Sequence, residues 1–193
     1  MVFIEDKKEV SHIVEVLRET QKALQESNAF KLQMLSDQII HSASIYQHTD
    51  LILTTTIIYC LNKLVARRDH LRVKNWQSFV KKFNSEIDKA INELGNENVE
   101  EFARHIQHAK DLIITISPNS RADIEDVIKN ASINKAGKIY EHGISLSRTA
   151  SLLGISQWDL AEYIGQRGKK DDPHLSSIDV KKRAAKAMEF FSW

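Results

Sequence analysis

Apolar residues in the middle of the chain recur every three or four positions, and this spacing restricts the fold more than any other feature. One continuous stripe is made of Val73, Trp76, Phe79, Val80, Phe83, Ile87, Ala90, Ile91 and Leu94. This period follows one face of an α-helix, whereas the faces of a strand alternate at every second residue. We therefore predict a long amphipathic helix with a buried stripe, ended by Gly95 in the C′ position.

The same period recurs on both sides of this stripe. It predicts amphipathic helices over about residues 6–26 and 30–46, and a further one that begins near Val99 and stops near Ser117 and Pro118. Only 6 Gly and 2 Pro occur in 193 residues, and so low a content of helix breakers favours long helices over a loop-rich β architecture. We predict an all-α protein that begins with an up-down helical bundle.

A nearly continuous apolar run follows Thr49 and Asp50, which are residue types that cap helix N-termini. We predict a buried central helix here, ending at Arg67 and Arg68. The β-branched residues from Ile52 to Ile58 leave a buried strand as the alternative, although no partner strand is evident.

Pro118 marks the best domain boundary, because the residue before a proline disfavours the helical backbone conformation. We assign residues 1–116 to the helical bundle and 121–166 to a helix-turn-helix-like region. Within the latter, we expect a helix near residues 124–131 and a short segment, 138–142, between two glycines. Residues 167–193 are predicted to form a polar linker and a basic C-terminal helix.

Cysteine content and hydropathy bear on the compartment. The single cysteine, Cys60, cannot form an internal disulfide, and the N-terminus becomes charged too soon for a signal peptide. The longest apolar stretch falls short of the ~20 residues that a membrane span needs. We expect a cytoplasmic protein with a buried, unreactive thiol and no membrane partner.

The segment over residues 144–165 has the spacing of a helix-turn-helix. Ser145 or Ser147 can cap a short first helix, in which Ala150 allows close crossing. Gly154 suits a tight turn, Ile155 reaches back to the shared core, and Ser156 can cap the second helix. The side chains expected to pack inward from the second helix are Trp158, Leu160, Ala161 and Ile164.

Residues 138–166, about 30 in all, resemble small prokaryotic antitoxin-like helix-turn-helix proteins, related in role to VapB antitoxins. The matching residues are Tyr140, Gly143, Ile144, Ser145, Ala150, Gly154, Ser156, Trp158 and Leu160. The resemblance implies a DNA-contacting module that also aids the binding of a partner protein. It does not extend to residues 1–116, which that family lacks.

The charge of this region is modest for a nucleic-acid-binding protein. The net charge of the chain is +1, and the second helix of the motif carries Asp159 and Glu162 but no cation before Arg167. Phosphate contacts require Lys or Arg. We expect the flanking cations to supply these contacts, and Gln157 to read a base edge. The candidate cations are Arg148, Arg167, Lys169 and Lys170, with Lys135 and Lys138 nearby.

Two trios of side chains have spacings that can bind a metal: Glu101, His105 and His108, and Asp37, His41 and His48. Neither has an extended metal-binding signature. We interpret both as solvated polar faces and predict no metal site and no cofactor. No phosphate-binding loop, dinucleotide motif or activated nucleophile is present, so we predict a protein that is not an enzyme.

The expected function is therefore nucleic-acid binding, with DNA as the expected partner, in a regulatory or antitoxin-like protein. One alternative is a protein-interaction module in which the same segment binds a partner protein. Another is a divergent helical-bundle RNA-processing protein of the HEPN type, but the Arg and His spacing of that family is missing. Homo-oligomer formation through the N-terminal bundle is left open.

Overall fold

The computed structural model describes residues 6–68, 75–116, 121–153 and 155–168, and these residues form an all-α fold without strands. Eight helices lie within these ranges: α1 (Lys7–Gln25), α2 (Ala29–Tyr46), α3 (Thr49–Arg67), α4 (Trp76–Gly95), α5 (Val99–Thr115), α6 (Arg121–Glu141), α7 (Leu146–Leu153) and α8 (Gln157–Gly168). The prediction of an all-α protein is confirmed. The predicted C-terminal helix and its linker after residue 168 lie outside the described residues.

Helix α3 is the central helix of the fold and packs against α1, α2, α5, α6 and α7. Its three consecutive threonines are buried, because each hydroxyl donates a hydrogen bond to the carbonyl four residues earlier. By length and composition α3 could also cross a membrane, but two thirds of its most apolar window is buried, as in any core helix. Ile52 to Ile58 lie within α3, so the alternative of a buried strand is wrong.

The start of α3 differs from the prediction. His48 is its N-cap residue and makes no side-chain capping bond, whereas Thr49 and Asp50 lie in the first turn. The Asp50 carboxylate lies 3.1 Å from the His48 ring. An acidic residue in the first turn still suits the positive end of the helix dipole.

In α4 the predicted stripe is buried from Phe79 to Leu94, with Phe83 fully inaccessible, whereas Trp76 is only partly buried and Val73 lies outside the described residues. The end of this helix differs from the prediction, because Gly95 is the last helical residue and not the residue after the cap. The left-handed conformation lies instead at Glu97, with a φ of 59°. Asn98 then donates its backbone N–H to the Glu93 carbonyl, and its side chain caps α5.

Helix α6 is one long helix, whereas two separate segments were predicted. Gly137 is buried within it, and the chain turns only at Gly143, where φ is 88°. Ala131, Ile139 and Ile144 belong to the same apolar core as α1–α5. The core of the bundle therefore continues into the region that carries the last two helices.

Candidate functional site

Helices α7 and α8 form a short hairpin (the α7–α8 hairpin, residues 145–168) whose ends are capped by serines. The Ser145 hydroxyl accepts a hydrogen bond from the Arg148 backbone N–H at 3.2 Å. Ser156 does the same for the Asp159 N–H at 3.0 Å. Both caps were expected from the sequence, with Ser145 chosen over Ser147. Gly154, the predicted turn residue, lies outside the described residues.

The hairpin and α6 share a small apolar core of their own. Ala136, Ala150 and Leu160 are almost fully buried, and Ile155 and Ile164 pack against them. Ala150 of α7, which was expected to allow close crossing of the two helices, is buried in the same cluster as Leu160 of α8. This core packs α8 against α6 and α7.

Trp158 does not pack inward, and its predicted burial is wrong. Its side chain is 86% exposed, and Ala161 is exposed as well. The inward face of α8 is set by Leu160 and Ile164, with Tyr163 accepting a hydrogen bond from Asn134 at 2.7 Å. Trp158 precedes Leu160 by two residues, or about 200° around the helix, so both cannot face the core.

The exposed positions of α8 lie on one face and are occupied by Gln157, Trp158, Ala161, Glu162 and Gly165. Gln157 donates a hydrogen bond to Ser147 of α7 at 3.4 Å, which joins the start of α8 to α7. The Arg148 side chain, next to Ser147, is exposed, and no described carboxylate binds it. Gln157 thus contacts the chain neighbour of Arg148, and we call the three exposed residues Arg148, Gln157 and Trp158 the hairpin tip.

The acidic and basic groups around the tip are only partly described. Asp159 is drawn towards α6, where Lys129 lies 3.8 Å from its carboxylate. Arg167 lies in α8, but its side chain is outside the described part of the chain, as are Lys169 and Lys170 entirely. Of these four cations that were predicted to bind phosphate, the structure thus describes the side chain of Arg148 alone.

Lys135 and Lys138 both bind the Asp37 carboxylate of α2, and Lys135, which is fully buried, cannot also contact a phosphate. Their Nζ atoms lie 2.8 and 2.6 Å from the same oxygen. Lys135 is completely buried, and its ammonium lies 4.5 Å from the centre of the Tyr59 ring. Burial lowers the pKa of Lys135 to about 8 even though Asp37 favours its charged form.

A cavity of about 560 Å³ lies between the hairpin and the bundle. Its walls come from α3, α5, α6 and α7 and are mainly apolar, with Leu152 and Leu153 on the hairpin side and Lys110 and Lys129 as the cations. Pockets of this size hold small ligands in many proteins. The cavity lies between the core of the bundle and α7, the helix that carries Arg148.

The predicted trio of Asp37, His41 and His48 does not come together. Helix α2 ends at Tyr46, and Gln47 adopts the left-handed conformation, so His48 leaves the face that Asp37 occupies. The Asp37 carboxylate binds the two lysines of α6. The His41 ring contacts the His142 ring, and their centres are 5.9 Å apart.

The second trio is rearranged. Glu101 pairs with Arg104, while His105 and His108 turn towards Glu86 of α4. The expected solvated face is wrong for His105, which is only 7% exposed. Burial of Glu86 opposes its ionisation, but hydrogen bonds from Lys89 and His105 outweigh that effect and lower its pKa to about 2. Glu86 was missed because it lies 19 residues from His105, on another helix.

Comparison with known proteins adds no assignment to this geometry. No protein-family model, curated protein or solved structure matches the chain.

Proposed function

We propose that this protein binds nucleic acid, with DNA as the expected target, through the α7–α8 hairpin. In this proposal the hairpin acts as a helix-turn-helix, and an up-down bundle formed by α1–α5 carries it. The serine caps and the core shared with α6 support this proposal, because they hold α8 as a rigid, exposed helix. A regulatory or antitoxin-like role, as the sequence resemblance implies, is part of the same proposal.

The observation that carries the proposal is the composition of the hairpin tip. Arg148 offers a cation to a phosphate, Gln157 offers an amide to a base edge, and Trp158 offers a ring for stacking. Asp159, which would repel phosphates, is directed to Lys129 instead. The contacts that position the hairpin would come from Arg148 and from Arg167, Lys169 and Lys170 at the end of α8 and beyond it.

The test is fluorescence anisotropy with labelled duplex DNA and single-stranded RNA over a series of salt concentrations. Each phosphate contact on duplex DNA contributes close to one unit of the logarithmic salt slope. Replacing Arg167, Lys169 and Lys170 together with Ala should flatten that slope by roughly two to three units. Gln157→Ala should change sequence preference and leave the slope nearly unaltered.

A matched control removes the same charge elsewhere. Lys7, Lys8 and Lys81 are exposed residues of α1 and α4. Replacing these three with Ala should affect binding much less than the triple change at Arg167, Lys169 and Lys170. Equal effects of the two triple variants would mean that only net charge matters. Absence of salt-sensitive binding to either nucleic acid at low ionic strength would refute the proposal.

The exposure of Trp158 also favours a second candidate function, the binding of a protein partner. Tryptophan is enriched among the residues that dominate protein interfaces, and α8 has no described cation on its exposed face. A second copy of this chain is the simplest partner to test. Sedimentation at increasing concentration should then reveal an oligomer that Trp158→Ala dissociates, while a monomer at all concentrations would count against it.

A further inference from the structure

Three side chains that can bind metals converge where α4 and α5 pack together. His105 and His108 lie one turn apart on α5 and point to Glu86 on α4. The Glu86 Oε2 atom lies 2.8 Å from His105 Nδ1 and 3.5 Å from His108 Nδ1. One ligand atom from each of the three residues lies within 4.8 Å of the other two.

These separations are close to those of a metal-binding site. Two ligands that bind a tetrahedral zinc ion at about 2.0–2.1 Å lie about 3.3 Å from each other. The separations of Oε2 from the two imidazole nitrogens fall on either side of this value. Small rotations of the side chains would therefore let all three reach one ion.

The surroundings of Glu86 hold it in a suitable orientation. Lys89 binds the other carboxylate oxygen, Oε1, at 2.7 Å. This contact fixes the carboxylate with Oε2 facing the histidines. Hydrogen bonds around metal sites orient ligand side chains in the same way. His105 is buried, so its ring has little freedom to turn away.

We propose that Glu86, His105 and His108 bind one divalent first-row transition-metal ion, and that Zn²⁺ fits this site best. Two imidazoles and one carboxylate are a donor set that zinc favours, whereas Mg²⁺ and Ca²⁺ prefer oxygen ligands alone. The ion links α4 to α5 and stabilises their packing, because it binds the folded chain and not the unfolded one.

The three-residue set leaves a fourth coordination position, and the geometry places it towards open space. Glu86 and His108 line a cavity of about 400 Å³, together with Lys82, Asp111 and Thr115. A solvent molecule completes the coordination there. The Asp111 carboxylate on the cavity wall offsets part of the repulsion that Lys82 and Lys89 exert on a cation.

The test uses the full chain, freed of metals, with Zn²⁺ added in a calorimetric titration and Co²⁺ added while its visible absorption is recorded. We expect one ion per chain, the absorption bands of cobalt with nitrogen and oxygen ligands, and no competition by excess Mg²⁺. His108→Gln, His105→Gln and Glu86→Gln should each weaken binding at least tenfold. Zinc should also raise the Tm of the wild-type protein.

His108→Gln is the decisive variant, because His108 is half exposed and its loss should leave the fold intact by circular dichroism. His12→Gln and Glu100→Gln, on α1 and at the start of α5, are the controls and should bind zinc as the wild type does. Failure of the wild type to bind Zn²⁺ or Co²⁺ at one ion per chain would overturn the proposal. Retention of binding by folded His108→Gln, or equal loss in the His12→Gln control, would do the same.

Discussion

Replacing Lys135 with Met should make the protein more stable, even though Lys135 forms a short ion pair. The ammonium is completely buried and lies 2.8 Å from the Asp37 carboxylate. A buried ion pair gains Coulomb energy but loses the hydration of both charges, and the loss is often the larger of the two. Methionine keeps a similar volume and needs no hydration.

The size of the effect follows from the titration of Lys135. Its pKa falls from 10.5 to about 8 in the folded protein, with Asp37 in place. This shift means that keeping the charge inside the folded chain at neutral pH costs roughly 3 kcal/mol. We therefore expect Lys135→Met to raise the free energy of unfolding by about 1–3 kcal/mol.

Asp37→Asn should have the opposite effect, because it leaves the Lys135 ammonium buried without its carboxylate. Such a change costs about 3–5 kcal/mol, and we expect the lower end because the Asp37 side chain is 36% exposed and solvent screens the charge. In the Lys135→Met background the same substitution should cost less than about 1 kcal/mol. The contact to Lys138 is then the one that is lost, and that side chain is partly exposed.

Urea unfolding followed by far-ultraviolet circular dichroism, at pH 7 and at pH 10, measures all four proteins. Because the pKa of Lys135 is lower in the folded chain, the unfolded chain holds more protons between pH 8 and 10.5, and stability rises with pH there. From pH 7 to pH 10 the wild type should gain roughly 2 kcal/mol relative to Lys135→Met. An equal cost of Asp37→Asn in both backgrounds, or parallel pH profiles, would refute the reasoning.

Four further substitutions or measurements test other parts of the fold. Phe83→Ala should cost about 3–5 kcal/mol, and an unchanged urea midpoint would show that the stripe of α4 is not in the core. Trp158→Ala should change the free energy of unfolding by less than about 0.5 kcal/mol, since a larger loss would mean that the ring packs on the protein. Ser156→Ala should cost about 1 kcal/mol by removing the cap of α8, and a neutral result would contradict that role. Burial raises the pKa of the Cys60 thiol to about 12, so a thiol reagent at neutral pH should modify it only after urea unfolds the chain.

The sequence predicts the helices well because apolar period is a local signal. The stripe from Phe79 to Leu94 determines α4, and the serines of the hairpin lie where their capping bonds form. The sequence predicts the ends of helices less well, since the backbone has several ways to end a helix. The left-handed residue after α4 is Glu97 and not a glycine, because hydrogen bonds from Glu97 and Asn98 back to α4 close the turn there.

Trp158 illustrates a different limit of sequence analysis. Both Trp158 and Leu160 are apolar, and α8 has only 12 residues. An inward face centred on Trp158 and one centred on Leu160 therefore fit the apolar spacing about equally well. The choice is made by α6, whose Ala136 packs against Leu160 and whose Asn134 binds Tyr163. Hydrophobicity alone could not reveal that the larger of the two side chains would remain in solvent.

Contacts between polar side chains on different helices are the third limit of sequence analysis. Asp37 and Lys135 are 98 residues apart, and Glu86 and His105 are 19 residues apart, so neither pair leaves a local pattern. Residues on the same helix do leave a local pattern. Glu101 lies four residues before His105 on α5, and the sequence therefore groups Glu101, and not Glu86 of α4, with the two histidines. In the structure Glu101 binds Arg104, and the histidines bind Glu86 instead. Candidate sites on an all-α chain are therefore better sought between facing helices than along one helix.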